Sequence, residues 1–178
     1  PAAYAAAIRS ILDGEVDELA RDRNSICYRV GLAAADGAPV VAVVKVPREG
    51  PQRTNPDASF AGEAAILARL PEAGIDRATR LLARVGVAGG HFLFTTELPG
   101  SHPDPRRHPL DRPRLAAILD GLYVLERQGL MHYDLKAANI LVAAERAAFI
   151  DFEFSRFGDC GPDPAPAPPA WCEDFNVS

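Results

Sequence analysis

Between Arg114 and Gln128 the apolar residues Leu115, Ile118, Leu119, Leu122 and Leu125 recur at i, i+3, i+4 and i+7, and Gly129 stands where a helix end favours a left-handed residue. Directly after this stop the chain reads His132-Tyr133-Asp134-Leu135-Lys136-Ala137-Ala138-Asn139. The apolar run Ile140-Leu141-Val142, a turn, and Phe149-Ile150-Asp151-Phe152-Glu153 follow. An amphipathic helix thus delivers the chain into a short loop dense in ionisable and amide side chains, and two strand-like runs lead from that loop to another acidic residue.

The first half reads differently. Ile26–Ala33 and Val40–Val46 are rich in strand-favouring residues and flank Ala34–Pro39, where Asp36-Gly37 is a favoured turn pair. Leu81–Val87 and His91–Leu98 bracket Ala88-Gly89-Gly90, which predicts a second hairpin. Between the hairpins, Asp57 is placed to cap a helix from about Ala58, whose Phe60, Ala64, Leu67 and Leu70 keep helical spacing until Pro71. The expectation is a mainly antiparallel sheet carrying a single helix. The looser spacing of Ile8, Ile11, Leu12, Val16 and Leu19 fits a short helix or a helix running into a first strand.

Pro99, Pro103, Pro105, Pro109 and Pro113, with the basic Arg106-Arg107-His108, make 99–113 a linker. Arg106, Arg107 and Arg112 suit an acidic partner or simply a solvated linker. The tail from Gly161 to Ala170 is too rich in proline for a helix or central strand, and Trp171 and Phe175 follow it.

At 178 residues, one compact domain is expected. Nineteen basic against 24 acidic side chains, a net charge of −5, oppose bulk attraction to nucleic acid. No apolar run approaches the length of a membrane span. Cys27, Cys160 and Cys172 cannot all pair within the chain, which points to a reducing compartment, and their spacing does not suggest zinc. The stretch Pro1–Ala7 does not read as a secretory signal.

The two ordered motifs, His132 to Asn139 and then Asp151-Phe152, resemble the protein kinase superfamily, whose catalytic loop reads H-R-D-L-x-x-x-N and whose metal motif reads D-F-G. The resemblance implies an α+β, protein-kinase-like bilobal fold: an antiparallel-sheet N-lobe (1–98), a hinge and linker (99–113) and a truncated helical C-lobe with a proline-rich tail (114–178). It implies ATP with magnesium or manganese as cofactors. Asp134 would orient the acceptor hydroxyl and receive its proton, Lys136 would serve the γ-phosphate, and Asn139 and Asp151 would hold the metal, with Glu153 beside them. His132 would pack beneath the loop. Lys45 in Val43-Val44-Lys45 matches the lysine that contacts the α- and β-phosphates, and Glu63, on the helix between the hairpins, would be its partner; Glu72 falls beyond Pro71. Thr96-Glu97-Leu98 resembles the hinge whose backbone meets adenine.

The pattern departs from the family in three places. Aligning Cys27-Tyr28 with the V-Y of kinases puts Ala20, Asp22 and Ser25 where G-x-G-x-x-G has glycines; Asp22 would repel phosphate unless turned away, while Ser25 could still donate a hydrogen bond. Tyr133 replaces the arginine that receives a phosphorylated activation loop in many kinases. Glu153 replaces the glycine after Asp151-Phe152, and the 27 residues after Asp151 contain no A-P-E motif.

This economy is similar to that of minimal kinases that bacteria inject into host cytoplasm. The likeness implies a host protein as substrate, with the family acting on the host's ninety-kilodalton heat-shock chaperone as one instance. A host activator is a further partner suggested by that class. Two alternatives stand beside this reading. Ile150-Asp151-Phe152-Glu153 also looks like the metal motif of aminoglycoside and choline kinases, a small-molecule class. The glycine-poor loop and Glu153 also suit a pseudokinase that only binds a partner.

Overall fold

The computed structural model describes residues 2–22, 25–33, 37–48, 56–87, 90–104, 106–107 and 110–158. Asp36, Ala88-Gly89, His108, Cys160, Cys172, Trp171 and Phe175 lie outside the described residues. The chain forms two compact units, one of residues 1–68 and 79–97, the other of 69–78 and 98–178.

The first unit is built on a five-stranded antiparallel sheet. Its strands are β1 (Asp17–Arg21), β2 (Ser25–Ala33), β3 (Pro39–Pro47), β4 (Leu81–Val87) and β5 (Gly90–Thr96), in the spatial order β1-β2-β3-β5-β4. The register pairs Cys27 with Lys45 and Lys45 with Leu93, and it pairs Val30 with Ala42 and Val44 with Phe94. Because side chains alternate across a strand, one face carries Val30, Ala42, Val44 and Phe94 and the other Ser25, Cys27, Lys45 and Leu93.

Each face has its own helix. Helix α1 (Ala2–Asp13) lays Ala7 and Ile11 on the first face, where Tyr4 meets Phe94 edge-on at 4.8 Å between ring centroids. Helix α2 (Pro56–Arg69) lays Phe60 and Ala64 against Leu93 on the second. The segment around Ile8–Leu19 is a helix running into a first strand, α1 then β1, so the sheet carries that helix as well as the one between the hairpins. Tyr4, Ala7, Ile8 and Ile11 recur at helical spacing along α1 and pack on the first sheet face, which is the reason it forms. Helix α2 starts at Pro56, so Asp57 falls in its first turn rather than at its cap; proline is well suited to the first helical position because its missing N–H has no partner to lose there.

The second unit centres on helix α3 (Arg112–Arg127). Asp111 caps it by accepting the Arg114 N–H at 3.0 Å, Pro113 sits in its first turn, and Gly129 beyond its end takes φ 69°. Ala117 and Ile118 of α3 pack against Val142 and Ala147, which belong to the hairpin of β7 (Ile140–Ala143) and β8 (Arg146–Phe149). Two-residue strands β6 (Leu130–Met131) and β9 (Arg156–Phe157) pair across the base of the polar loop.

Arg112 and Pro113, expected in the linker, open α3; the described residues of the linker before them carry no helix or strand, yet the segment is anchored. Ser101 exchanges two backbone hydrogen bonds with Val142, and His102 Nδ1 lies 2.9 Å from the Ile140 carbonyl. Gly100 makes that approach feasible: a Cβ there would lie 2.9 Å from the Val142 carbonyl oxygen. No helix among the described residues is long and apolar enough to cross a membrane.

Candidate active site

Lys45 and Glu63 lie in the first unit, and Asp134, Lys136, Asn139, Asp151 and Glu153 in the second. Lys45 leaves β3 on the face that α2 covers, and Glu63 points down from α2 one turn after Phe60. Their charges meet at 2.8 Å, with side chains only 11% and 5% exposed. The Lys45 ammonium also stands 5.7 Å from the Phe60 ring centroid. Glu72 is exposed, beyond the end of α2.

In the second unit, the loop after β6 is held from below by His132. Its imidazole is buried, with Nε2 3.0 Å from the Ile150 carbonyl and the ring 4.8 Å from that of Phe152. Ser155 donates to the His132 carbonyl at 3.2 Å. These contacts tie the segment before Asp134 to the segment around Asp151. Tyr133, with φ 58°, turns the backbone sharply just before Asp134 and leaves its own ring exposed.

Asp134 is the focus of this loop. Lys136 Nζ donates to its Oδ2 at 2.6 Å, and Asn139 Nδ2 donates to the same oxygen and to the Asp134 carbonyl, both at 2.9 Å. Asn139 is positioned by a 3-10 turn over Ala137–Asn139 and is itself buried. The Lys136 hydrogen bond, aided by its charge and by Asn139, holds the Asp134 carboxyl below its ordinary range in spite of partial burial. Asp134 is therefore an ionised acceptor at neutral pH, the state a proton-accepting group needs.

Asp151 sits just beyond β8 with φ 65°, fixed by the Ile150 N–H donating to the Asn139 carbonyl at 3.0 Å. A carboxylate oxygen of Glu153 lies within 4.8 Å of one of Asp151. The residues suit a divalent cation: Asn139 commits its amide nitrogen to Asp134 and keeps its carbonyl oxygen, and Asp151 and Glu153 add carboxylates, an all-oxygen set of the kind magnesium prefers.

Of the residues expected to contact nucleotide, Ser25 behaves otherwise than the sequence suggests. Ser25 is buried, and its hydroxyl donates to Asp22 Oδ2 at 2.9 Å while its N–H donates to Asp22 Oδ1 at 2.5 Å. It is thus a partner of Asp22 rather than a free donor for phosphate. Glu97 accepts the Arg29 guanidinium at 2.9 Å, so its carboxylate serves an ion pair on the sheet. Leu98 opens the second unit, half-buried. The Asp22-x-x-Ser25 spacing is a legible turn signal; the Arg48 donation to the Asp22 carbonyl at 2.9 Å has none.

Comparison with known proteins adds two matches. The phosphotransferase enzyme family APH matches residues 107–178, the stretch that includes α3, the polar loop and Asp151. A segment of 64 residues is 41% identical to the serine/threonine-protein kinase SSN3 of Coccidioides immitis (strain RS), covering 34% of this chain and 12% of that protein. Both matches support the protein-kinase-like superfamily. The mixed fold with its five-stranded antiparallel sheet is consistent with a kinase-like fold, and phosphoryl transfer is the activity both matches support.

Proposed function

We propose that this chain is an ATP-dependent protein kinase, and that Asp134 is its proton-accepting residue. The observation that carries the proposal is the constellation at Asp134: one carboxylate oxygen shared by the Lys136 ammonium at 2.6 Å and the Asn139 amide at 2.9 Å. A lysine two residues after the acceptor-orienting aspartate suits transfer to a protein hydroxyl, and the likeness to a serine/threonine kinase runs the same way.

In the proposed reaction the acceptor oxygen bonds to the γ-phosphorus while the bond from phosphorus to the β–γ bridging oxygen breaks, and Asp134 takes the hydroxyl proton. Lys136, 54% exposed in its side chain, has the freedom to leave Asp134 and neutralise charge that spreads over the γ-phosphate oxygens. Lys45, positioned by Glu63, holds the α- and β-phosphates. Asn139, Asp151 and Glu153 are the residues that would hold magnesium or manganese, whose contribution is to screen the phosphate charge.

A small-molecule acceptor is the second reading, favoured by the phosphotransferase family match over 107–178 and by the carboxylate of Glu153 following Asp151-Phe152. Transfer of labelled γ-phosphate into lysate proteins and the purified ninety-kilodalton chaperone, run beside aminoglycoside and choline panels, separates the two. Labelled protein bands that vanish in Asp134→Asn are expected. Label confined to a small hydroxyl compound would overturn the protein-kinase reading in favour of the second, and intact ATP binding without transfer to either would leave a binding module.

A further inference from the structure

Strand β7 pairs with β8 along one edge and meets the linker along the other. There the Ser101 N–H donates to the Val142 carbonyl at 3.1 Å, and the Val142 N–H returns to the Ser101 carbonyl at 2.9 Å. Backbone polar groups alternate along a strand, so Ile140, two residues earlier, presents its carbonyl on the same edge. Continuing that antiparallel pairing would set Ile140 opposite Pro103, which has no N–H to donate. The His102 side chain donates instead. Its Nδ1 lies 2.9 Å from the Ile140 carbonyl, and since a carbonyl only accepts, Nδ1 carries the hydrogen. Gly100, at φ 127°, admits the close approach, because a Cβ there would meet the Val142 carbonyl oxygen at 2.9 Å.

Ile140 directly follows Asn139 and ends the 3-10 turn by donating its N–H to the Ala137 carbonyl. The Asn139 carbonyl accepts the Ile150 N–H at 3.0 Å, so the backbone around the Asn139 side chain is tied both to the segment before Asp151 and, through Ile140, to His102. We infer that His102 is a positioning residue for the amide that would hold the metal: its Nδ1–H fixes the Ile140 carbonyl, and through it the direction in which Asn139 offers its own side-chain oxygen. This rests on the phosphotransfer reading, in which Asn139 takes part in holding magnesium. A backbone free to rotate loses conformational entropy each time the site fills, whereas a tied one has lost it during folding. His102 acts through the backbone and not on the reacting atoms.

The shape of the imidazole supplies the test. Asparagine places its amide Nδ2 where histidine has Nδ1, whereas glutamine places Nε2 where histidine has its far nitrogen, so only asparagine reproduces the donor. Because His102 is exposed, its replacement leaves the core intact. Transfer of labelled γ-phosphate, to whichever acceptor takes the label, is titrated in free magnesium at fixed ATP for wild type, His102→Ala, His102→Asn and His102→Gln. His102→Ala should need about fivefold more magnesium for its half-maximal rate, the weight of one hydrogen bond, and should reach a plateau near the wild-type rate. His102→Asn should follow wild type, and His102→Gln should follow His102→Ala.

Hydrogen exchange without nucleotide or metal reads the same tie. The Ile150 amide, which donates to the Asn139 carbonyl, should exchange faster in His102→Ala and near the wild-type rate in His102→Asn. An unchanged magnesium requirement or unchanged Ile150 exchange in His102→Ala overturns the inference while leaving the phosphotransfer reading intact. Rescue by glutamine as complete as by asparagine, or a loss confined to the plateau rate, also overturns it. A wild type that transfers no phosphate overturns that reading and the inference together.

Discussion

Removing Glu63 alone should damage this protein more than removing Glu63 and Lys45 together. The pair meets at 2.8 Å with side chains 5% and 11% exposed, so each charge is largely withdrawn from water. Breaking a buried pair from one side costs about 3–5 kcal/mol, since the remaining charge keeps its desolvation cost and loses an opposite charge in contact with it. Glu63→Ala is therefore expected to destabilise by about 3 kcal/mol, which at a urea slope of about 2 kcal/mol/M lowers the midpoint by about 1.5 M. The double variant Lys45→Met/Glu63→Leu, which puts apolar bulk in place of both charges, should recover most of this loss, because apolar replacements of buried pairs are often neutral. If Lys45 holds the phosphates as proposed, both proteins should lack phosphoryl transfer. Urea unfolding followed by circular dichroism, on wild type, both single variants and the double, gives the coupling directly. A midpoint shift below about 0.3 M for Glu63→Ala, or a double variant as unstable as the single, would refute the desolvation argument.

Other consequences follow from the second unit. Gly121→Ala should destabilise by about 1–2 kcal/mol in thermal unfolding, since the new Cβ would stand 2.7 Å from the Phe149 ring and the helix-propensity gain of about 1 kcal/mol offsets only part of the overpacking. Tyr133→Val should be less stable than Tyr133→Gly by about 1–2 kcal/mol, because φ 58° is tolerated by glycine and opposed by a β-branched side chain; equal melting temperatures would contradict this. Lys136→Ala should move the acid limb of the pH–rate profile to higher pH. Lys136 depresses the Asp134 pKa, so the carboxylate form persists as pH falls until the lowered pKa is reached; without Lys136 protonation begins sooner. An unmoved limb would show that Asp134 is not the group titrating.

Sequence patterning revealed the elements whose burial is one-sided. Helix α3 was legible from Ile118, Leu122 and Leu125 and from Gly129, because one stripe packs on β7 and β8 while the other meets water. The hairpins were legible from β-branched runs. Helix α1 was legible only in its second half, from Ile8, Ile11 and Leu12; its start was not, because what holds Tyr4 lies far along the chain, at Phe94 and Leu82. At the site, the spacing of Asp134, Lys136 and Asn139 was readable because a local turn brings them together. Among longer-range pairs, Lys45 with Glu63 was given by the family resemblance, whereas nothing in sequence separation pairs Arg29 with Glu97 or Arg48 with the Asp22 carbonyl. Ser25 was misjudged for a related reason, since a hydroxyl's donor role depends on whether a neighbouring carboxylate already takes it.

The central claim is that Asp134 receives the acceptor's proton during phosphoryl transfer. Its most direct test is the single-turnover rate of γ-phosphate transfer in wild type and Asp134→Asn, at saturating ATP and with nucleotide affinity measured on both proteins. Asn preserves the shape of the side chain and can still accept a hydrogen bond, but it cannot accept the proton. The expected result is a rate lower by about a hundredfold or more, the usual contribution of a positioned base, with ATP affinity unchanged. A rate within a few-fold of wild type would contradict the account.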